Sequence, residues 1–298
     1  MSSTTNAAKV PISIIIPTKD EERNIAACLE SLEWADERIV FDSYSTDRTL
    51  EIAEHYGPTI VQRVFDNFSA HKNWALENIE LRNKWVFIVD ADERATPALA
   101  EEIRETIASA DALNGYHVAR QYWLWNKSLR AVYPDYNLRL IQHGKAFYED
   151  RIVHEHMVVE GPSGFLKNHL IHEDDKGMER WFDRHNKYST MEAFEAWKLL
   201  HQKEGEAGEG SDESISSSIE ARGPERRRAL KQFAYRHLPC RPIFQFLYLY
   251  VFKLGFLDGR KGFRYAVLKM FYEYQISLKI EELEVEEARK NRAAGISD

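Results

Sequence analysis

The first hundred residues alternate short apolar runs with amphipathic segments, which is the pattern of repeated βαβ units. Buried strands are predicted where β-branched and aromatic residues fill the run, at residues 12–16, 38–41, 59–64 and 85–89. Helices are predicted where apolar residues recur at helical spacing, at residues 24–32, 49–56 and 69–81. Thr96 and Pro97 form a cap and a first-turn proline, which predicts a further helix. This alternation indicates an α/β fold with a mostly parallel central sheet flanked by helices.

The rest of the chain is predicted to complete this domain and then to become helical. Residues 116–171 mix short apolar runs with aromatics and glycines, so we expect strands and loops there and one domain over residues 10–175. A long helix is predicted at 176–202. Residues 203–223 are rich in Gly, Ser and Glu and are predicted to be a flexible or disordered loop. Residues 224–298 are predicted to form a helical C-terminal extension.

Acidic and hydroxyl side chains follow three of the predicted strands. The first strand runs into Pro17–Glu21, the second into Asp42–Asp47 and the fourth into Asp90–Glu93. Because the carboxyl ends of parallel strands meet at one edge of a sheet, five or six carboxylates should gather there, where their repulsion would be costly without a cation. Asp90 and Asp92 can turn toward one ion, and such hard oxygen ligands select Mg²⁺ or Mn²⁺.

Several protein classes are disfavoured by what the sequence lacks. It has neither the glycine-rich dinucleotide fingerprint nor the P-loop motif, which argues against a Rossmann dehydrogenase and a P-loop NTPase. Its two cysteines, Cys28 and Cys240, cannot build a disulfide framework, which fits a reducing cytosol. We expect neither a secretory signal nor a spanning helix, because the first nine residues are polar and the apolar run at 243–252 is about half a membrane span.

The three polar segments, in this order and spacing, resemble the nucleotide-binding half of family 2 glycosyltransferases, which have the GT-A fold. The resemblance covers about residues 10–110. Shorter similarities at 137–140, 153–155 and 255–259 resemble the subgroup that includes lipopolysaccharide core glucosyltransferases. The resemblance implies an inverting, metal-dependent transfer of a hexose from a nucleotide sugar, most simply UDP-linked. The acceptor would be a saccharide or a lipid-linked saccharide in cell-envelope glycan synthesis.

The resemblance also implies roles for single residues. The donor nucleotide would be bound by Pro17, Thr18, Glu21, Asp42, Lys72 and Asp90. Within this set, Asp42 would contact the uracil edge and Glu21 the ribose, and Lys72 would face the nucleotide. Asp92 would hold the metal on the diphosphate, with Asp90 near the ribose and the metal. A cation that neutralises the leaving diphosphate makes a separate acid unnecessary.

A base must still take the proton from the acceptor hydroxyl, and two carboxylates are candidates. Glu155 lies in Ile152-Val-His-Glu155, where an apolar lead-in precedes an imidazole and a carboxylate, and Asp150 resembles one member of the Glu-Asp pair of other family members. We favour Glu155 because the subgroup resemblance lies in Val-His-Glu. For either residue the alternative is a salt bridge to Arg139 or Arg151.

Three further side chains are candidates for contacts with phosphate, metal or acceptor. His154 and His172 belong to a loose group of histidines, although a lone histidine is more often structural. Arg139 is a charge inside the predicted strand around Leu138–Leu140. It would grip a phosphate, orient Glu155 or pair with a nearby acid, and the sequence does not choose among these.

The formal charge of −8 is spread unevenly along the chain. Between Arg222 and Lys269, twelve Lys and Arg residues stand against two acids, and they flank the apolar run 242–252. Basic residues beside aromatic and leucine side chains are typical of a helix that lies in an anionic membrane interface. This would place the protein in the cytoplasm, peripheral at the inner face of the cytoplasmic membrane. A buried helix or a homo-oligomer contact is the alternative; nucleic acid is disfavoured because the aromatics are not interleaved with the basic residues.

Two other functions compete with sugar transfer. A sugar nucleotidyltransferase shares the sheet and the acidic metal site, but it needs a glycine-rich loop after the first strand, and residues 17–21 contain no glycine. A non-catalytic membrane-surface scaffold with a decayed site would bind no nucleotide. The intact set of acidic residues argues against that scaffold.

Overall fold

The computed structural model describes residues 8–125, 127–149, 157–174, 176–201 and 240–293. The chain divides into two compact units, Met1–Met178 and Glu179–Asp298. The division falls near residue 175, where the first domain is predicted to end. The loop predicted at 203–223 lies outside the described residues.

The described part of the first unit contains the alternating strands and helices that the hydrophobic pattern predicts. Its strands are β1 (Val10–Thr18), β2 (Ala35–Asp42), β3 (Thr59–Gln62), β4 (Trp85–Ile88), β5 (Glu93–Ala95), β6 (Gly115–Tyr122), β7 (Asp135–Gln142), β8 (Ala146–Tyr148), β9 (Met157–Val159) and β10 (Ser163–His172). Its α-helices are α1 (Ile25–Ser31), α2 (Thr49–Glu54), α3 (Phe68–Asn78) and α4 (Pro97–Ala108). Helix α4 begins as predicted, since the Thr96 side chain accepts a hydrogen bond from Leu99 N at 3.1 Å.

Eight strands form one mixed sheet in the order β3-β2-β1-β4-β7-β6-β10-β5. Strands β3, β2, β1 and β4 are parallel neighbours. Strand β7 runs antiparallel to both β4 and β6, whereas β10 is parallel to β6 and antiparallel to β5. Strands β8 and β9 form a separate antiparallel pair. The predicted α/β class is confirmed, and the antiparallel strands come from the middle of the chain.

The central strands are apolar on both faces because both faces of the sheet are covered. Along β1, Ile14 and Ile16 belong to the buried cluster that includes Leu29 of α1. Ile15 points the other way, into the cluster that includes Leu76 of α3. Successive residues of a strand face opposite sides, so a continuous apolar run is what a doubly covered strand requires. These buried central strands determine where the polar segments at their ends lie.

The second unit is helical in its described part. Helix α5 (Met178–His201) covers nearly the span predicted for the long helix. Helix α6 (Arg241–Leu247) continues through a π-helical turn (Tyr248–Phe252) and a 3₁₀ turn (Gly255–Asp258) into the 35-residue helix α7 (Gly259–Ala293). Small residues of α5 pack with Tyr272 and Ile276 of α7 to form the core of this unit. Among the described helices, none combines the length and the apolar character needed to cross a bilayer.

Candidate active site

The polar segments after β1, β2 and β4 meet at one edge of the sheet, as predicted. The three strands are adjacent and parallel, and Thr18 at the end of β1 is the register partner of Asp42 at the end of β2. Just beyond β4, Val89 N donates to Ile15 O at 3.1 Å. The carboxyl ends of the strands therefore place Pro17–Glu21, Asp42–Asp47 and Asp90–Glu93 on the same side of the sheet.

The loops after β1 and β2 are held together by their own acidic side chains. Asp20 adopts a left-handed backbone conformation (φ 51°), which Asp and Asn tolerate better than most residues. Its Oδ1 accepts from Thr46 N at 2.8 Å, and its backbone N donates to Ser45 Oγ at 2.8 Å. Asp47 Oδ2 accepts from Glu22 N at 3.2 Å. Asp20 and Asp47 thus serve the architecture of the two loops.

Asp42 is also bound from within the loop. Its side chain is fully buried, and Oδ2 accepts from Ser45 N at 3.0 Å and from Gln62 Nε2 at 2.9 Å. The Ser45 hydroxyl donates to Oδ1. The next residue, Ser43, is half-buried, and its Oγ lies 3.1 Å from His71 Nε2. The geometry gives Asp42 a structural part in the loop, and the implied contact with uracil stays a prediction.

Asp90, whose side chain is partly exposed, and the buried Glu93 belong to one network of charges. Arg139 Nη2 donates to Asp90 Oδ2 at 2.7 Å and to Glu93 Oε1 at 2.9 Å. Arg120 Nη1 lies 3.6 Å from Glu93 Oε1, and Lys72 Nζ lies 3.9 Å from Asp90 Oδ1. Glu93 is fully buried and the Arg139 side chain is 6 % exposed. Of the roles left open for Arg139, the structure shows pairing with nearby acids.

The environments of the two carboxylates shift their pKa values in opposite directions. Burial would raise the pKa of Asp90, but the charges of Arg139 and Lys72 outweigh it and hold that pKa well below its ordinary value. Burial dominates at Glu93, whose pKa is raised despite Arg139 and Arg120. Asp90 therefore carries a fixed negative charge at the sheet edge, compensated by the chain's own cations. At Asp90 and Glu93 the chain's own cations, rather than a metal ion, offset the repulsion between carboxylates.

Asp92 and His172 form a second pair at this edge. Asp92 is 8 % exposed, and its Oδ1 lies 3.3 Å from Nδ1 of His172, the last residue of β10. This buried Nδ1 makes no hydrogen bond of good geometry within the part of the chain that the structure describes. Burial would lower the pKa of His172, but the Asp92 carboxylate raises it. The described residues contain no group of three or more His, Cys, Asp and Glu side chains arranged for a metal.

An oxygen and a nitrogen donor side by side, the nitrogen with no well-formed hydrogen bond among the described residues, fit a divalent ion that takes only part of its shell from protein. Mg²⁺ in particular binds through one or two carboxylates and completes its shell with water and substrate phosphates. Imidazole suits the transition metals, and carboxylate suits Mg²⁺ and Mn²⁺. The residues that could hold such an ion are therefore Asp92 and His172.

Glu21 also lies at this edge of the sheet, and its carboxylate pairs with a lysine that the sequence did not predict. Lys176 Nζ contacts Glu21 Oε1, and Asn24 Nδ2 donates to Glu21 Oε2 at 2.8 Å. The side chains of Glu21 and Lys176 are 13 % and 8 % exposed. Burial, helped by the charge of Asp92, raises the pKa of Glu21 to about 7 although Lys176 opposes the shift. Glu21 thus changes charge near neutral pH, beside the Asp92–His172 pair.

The sequence comparisons identify the family. The family model described as "Glycosyl transferase family 2" matches residues 13–165. Over 194 residues the chain is 34% identical to "Lipopolysaccharide core biosynthesis glycosyltransferase LpsC" of Rhizobium meliloti (strain 1021), which covers 62% of this chain and 71% of that protein. The chain belongs to glycosyl transferase family 2. An uncharacterized glycosyltransferase of Rickettsia conorii is 38% identical over 99 residues, 33% of this chain and 34% of that protein.

Solved structures match the chain at lower similarity. Staphylococcus aureus TarS, residues 1–349, matches with a TM-score of 0.42 and 13% identity, over 94% of this chain and 92% of that chain. Glucosyl-3-phosphoglycerate synthase from Mycobacterium tuberculosis, crystallised with Mn²⁺, UDP and phosphoglyceric acid, matches with a TM-score of 0.39 and 15% identity, over 59% of this chain and 74% of that chain. The predicted GT-A class is confirmed by family membership together with the mixed, helix-flanked sheet.

The two candidates for the predicted acceptor base lie outside the described residues. Asp150, His154 and Glu155 lie outside the described residues, so their roles stay predictions. Pro17 and Thr18 close β1, where the Thr18 hydroxyl donates to Ile16 O at 2.8 Å.

Two charged residues of the edge were missed by sequence reasoning. Arg120 sits inside strand β6, the same signal of a charge within a strand that singled out Arg139. Lys176 lies in the loop after β10, and no pattern in the sequence points to it.

Proposed function

We propose that this glycosyltransferase moves a hexose, with inversion, from a UDP-sugar to a saccharide or lipid-linked acceptor of the cell envelope, using a divalent ion. The observation that carries the proposal is the Asp92–His172 pair beside the compensated Asp90–Arg139 network at the carboxyl edge of the sheet. Two different environments for two neighbouring aspartates suit two different tasks. The similarity to a lipopolysaccharide core glycosyltransferase supports the choice of acceptor.

In this proposal Asp92 and His172 hold Mg²⁺ or Mn²⁺. The ion would neutralise the negative charge that develops on the departing nucleoside diphosphate. Asp90, kept ionised by Arg139 and Lys72, would accept hydrogen bonds from the ribose. Lys72 lies 3.9 Å from Asp90 and adds positive charge at the side where the nucleotide would bind. Pro17, Thr18 and Glu21 would line the nucleoside, and Asp42 would order the loop that covers it.

Transfer would be a single displacement. The acceptor hydroxyl would give its proton to Glu155, or to Asp150, as its oxygen bonds to the anomeric carbon. The bond from that carbon to the diphosphate oxygen breaks in the same step, with the electron pair leaving on the diphosphate. Since attack and departure occur on opposite faces of the sugar, the configuration inverts. Because an ion held by Asp92 and His172 would stabilise the leaving diphosphate, no protein residue is assigned as a general acid.

Nucleotide binding with and without metal tests the proposal. Thermal unfolding of the full chain should be shifted upward by UDP only when Mn²⁺ or Mg²⁺ is present. A ligand at about 100 times its Kd stabilises by about 2.7 kcal/mol, which is a shift of several degrees for a protein of this size. Asp92→Asn should remove this shift and abolish turnover, while Asp111→Asn, on an exposed loop, serves as the matched control. Equal stabilisation by UDP in EDTA, or normal activity of Asp92→Asn, contradicts the metal assignment.

A further inference from the structure

One face of the second unit is apolar and exposed, and the transfer chemistry gives it no role. Helix α6 and the π-helical turn that follows it present six apolar side chains at the spacing of a single helical face. They are Ile243, Phe244, Leu247, Tyr248, Val251 and Phe252, which we call the α6 face. All six are exposed, from 39% at Leu247 to 75% at Phe252. Monomeric soluble proteins rarely leave so continuous an apolar stripe in water without a use for it.

The α6 face is supported by packing on its other side. Leu249 is 6% exposed, and the Phe246 and Tyr250 rings are stacked with centroids 5.3 Å apart. Both rings also meet Phe263 of α7, at 5.8 and 5.6 Å. The exposed side chains therefore project from a helix whose opposite side already packs against the rest of the unit. Variants that test the face should replace exposed residues and leave Phe246 and Tyr250 in place.

Positive charge surrounds the α6 face. From residue 240 to residue 273 the chain carries six basic residues, Arg241, Lys253, Arg260, Lys261, Arg264 and Lys269, and two acids, Asp258, which is buried, and Glu273, which pairs with Arg241. A cleft of about 410 Å³ is lined by Tyr250, Gly259, Arg260, Phe263 and Arg264. Arg260 and Arg264 are one helical turn apart, and guanidinium groups at this spacing suit a phosphate.

The charge reverses along helix α7. Residues 281–287 contain five glutamates, whereas the first turns of the helix are basic. A 35-residue helix is about 52 Å long, so the acidic part is well separated from the α6 face. An anionic surface would attract the basic end of α7 and repel its acidic end, which would orient the helix on that surface.

We infer that the α6 face lies in the interface of an anionic phospholipid membrane, with Arg260 and Arg264 on lipid phosphates. Apolar side chains in the headgroup boundary, flanked by Lys and Arg, are the features of interfacial helices. A second copy of the chain is disfavoured because a twofold contact would bring two positive surfaces together. The inference goes beyond the proposed transfer reaction, although it suits a lipid-linked acceptor, and its test needs neither donor nor metal.

Co-flotation with vesicles tests the inference on the full chain. Vesicles of phosphatidylglycerol and phosphatidylethanolamine should carry the protein upward, and vesicles of phosphatidylcholine alone should not. Replacing Phe244 and Phe252 by Ser should lower the partition coefficient about 100-fold, from the usual value of burying two phenylalanines. Arg260→Gln and Arg264→Gln should each lower it about fivefold. Phe147→Ser with Val64→Ser, two exposed apolar residues of the first unit, should bind like the parent protein.

Three results would overturn the inference: no binding to anionic vesicles, binding that survives the Phe244 and Phe252 replacements, or a dimer in light scattering that those replacements dissociate. Thermal unfolding of each variant shows that it is folded. Because UDP binding is measured separately, loss of the proposed function and loss of membrane binding are distinguishable outcomes.

Discussion

Replacing Glu21 by Gln should make the ligand-free protein more stable at neutral and alkaline pH. Burial and the nearby charge of Asp92 raise the pKa of Glu21 from 4.5 to about 7. Between these two pH values the unfolded chain has lost a proton that the folded protein keeps. The folded state is therefore favoured by this group below about pH 4.5, and that contribution disappears as pH rises through 7. Glutamine does not titrate, so the variant should lack this pH-dependent loss.

The size of the effect follows from the two pKa values. At about 1.4 kcal/mol per pH unit, the interval from 4.5 to about 7 corresponds to roughly 3 kcal/mol, most of which develops between pH 5 and pH 8. For a domain of this size about 1 kcal/mol shifts Tm by about 2–4 °C, so the Tm of the variant should gain roughly 5–10 °C on the parent protein over that range.

The assay is thermal unfolding at several pH values from 5 to 8, without nucleotide or metal. Glu105→Gln is the matched control, since Glu105 is an exposed carboxylate on α4. The reasoning would be refuted if the difference in Tm between Glu21→Gln and the parent protein stays constant or narrows as pH rises. It would mean that Lys176 keeps Glu21 ionised in the folded state.

Two further substitutions test the charge network and the acceptor base. Arg139→Met leaves Asp90 and Glu93 without their shared guanidinium and should lower the free energy of unfolding by about 3–5 kcal/mol. Arg48→Met, which removes an exposed pair with Glu51, should lower it much less. Equal losses of stability in the two variants would show that burial does not strengthen the Arg139 network. Glu155→Gln should lower single-turnover transfer about a hundredfold or more while UDP binding is kept. If Asp150→Asn alone does this, Asp150 is the base, and wild-type transfer by both variants would exclude the pair.

The strands and the meeting of their ends were predictable because both follow from short-range patterns. Buried parallel strands require continuous apolar runs, and the runs around Ile14 and Phe87 supply them. Once the strands are parallel neighbours, their ends must share an edge. The three-residue strand β5 was not predicted, since a segment so short carries no periodicity.

The pairing of charges was not predictable because it depends on the order of strands in the sheet. Arg139 reaches Asp90 and Glu93 across 49 and 46 positions of sequence, and only because β7 inserts antiparallel beside β4. Lys176 reaches Glu21 across 155 positions through a loop. Contacts between residues so far apart in the sequence cannot be predicted from the local pattern of residues.

An aspartate that holds a loop and one that binds a ligand look alike in a sequence, and the structure identifies the first kind by its hydrogen bonds. Asp20 accepts a hydrogen bond from the neighbouring loop, Asp42 accepts one from its own loop, and Asp90 accepts one from a guanidinium. The Asp92–His172 pair is different, since a buried imidazole nitrogen at its centre has no well-formed hydrogen bond among the described residues. Leaving such a group unsatisfied costs free energy of folding, as does the burial of Glu21. We propose that a ligand at this sheet edge offsets both costs.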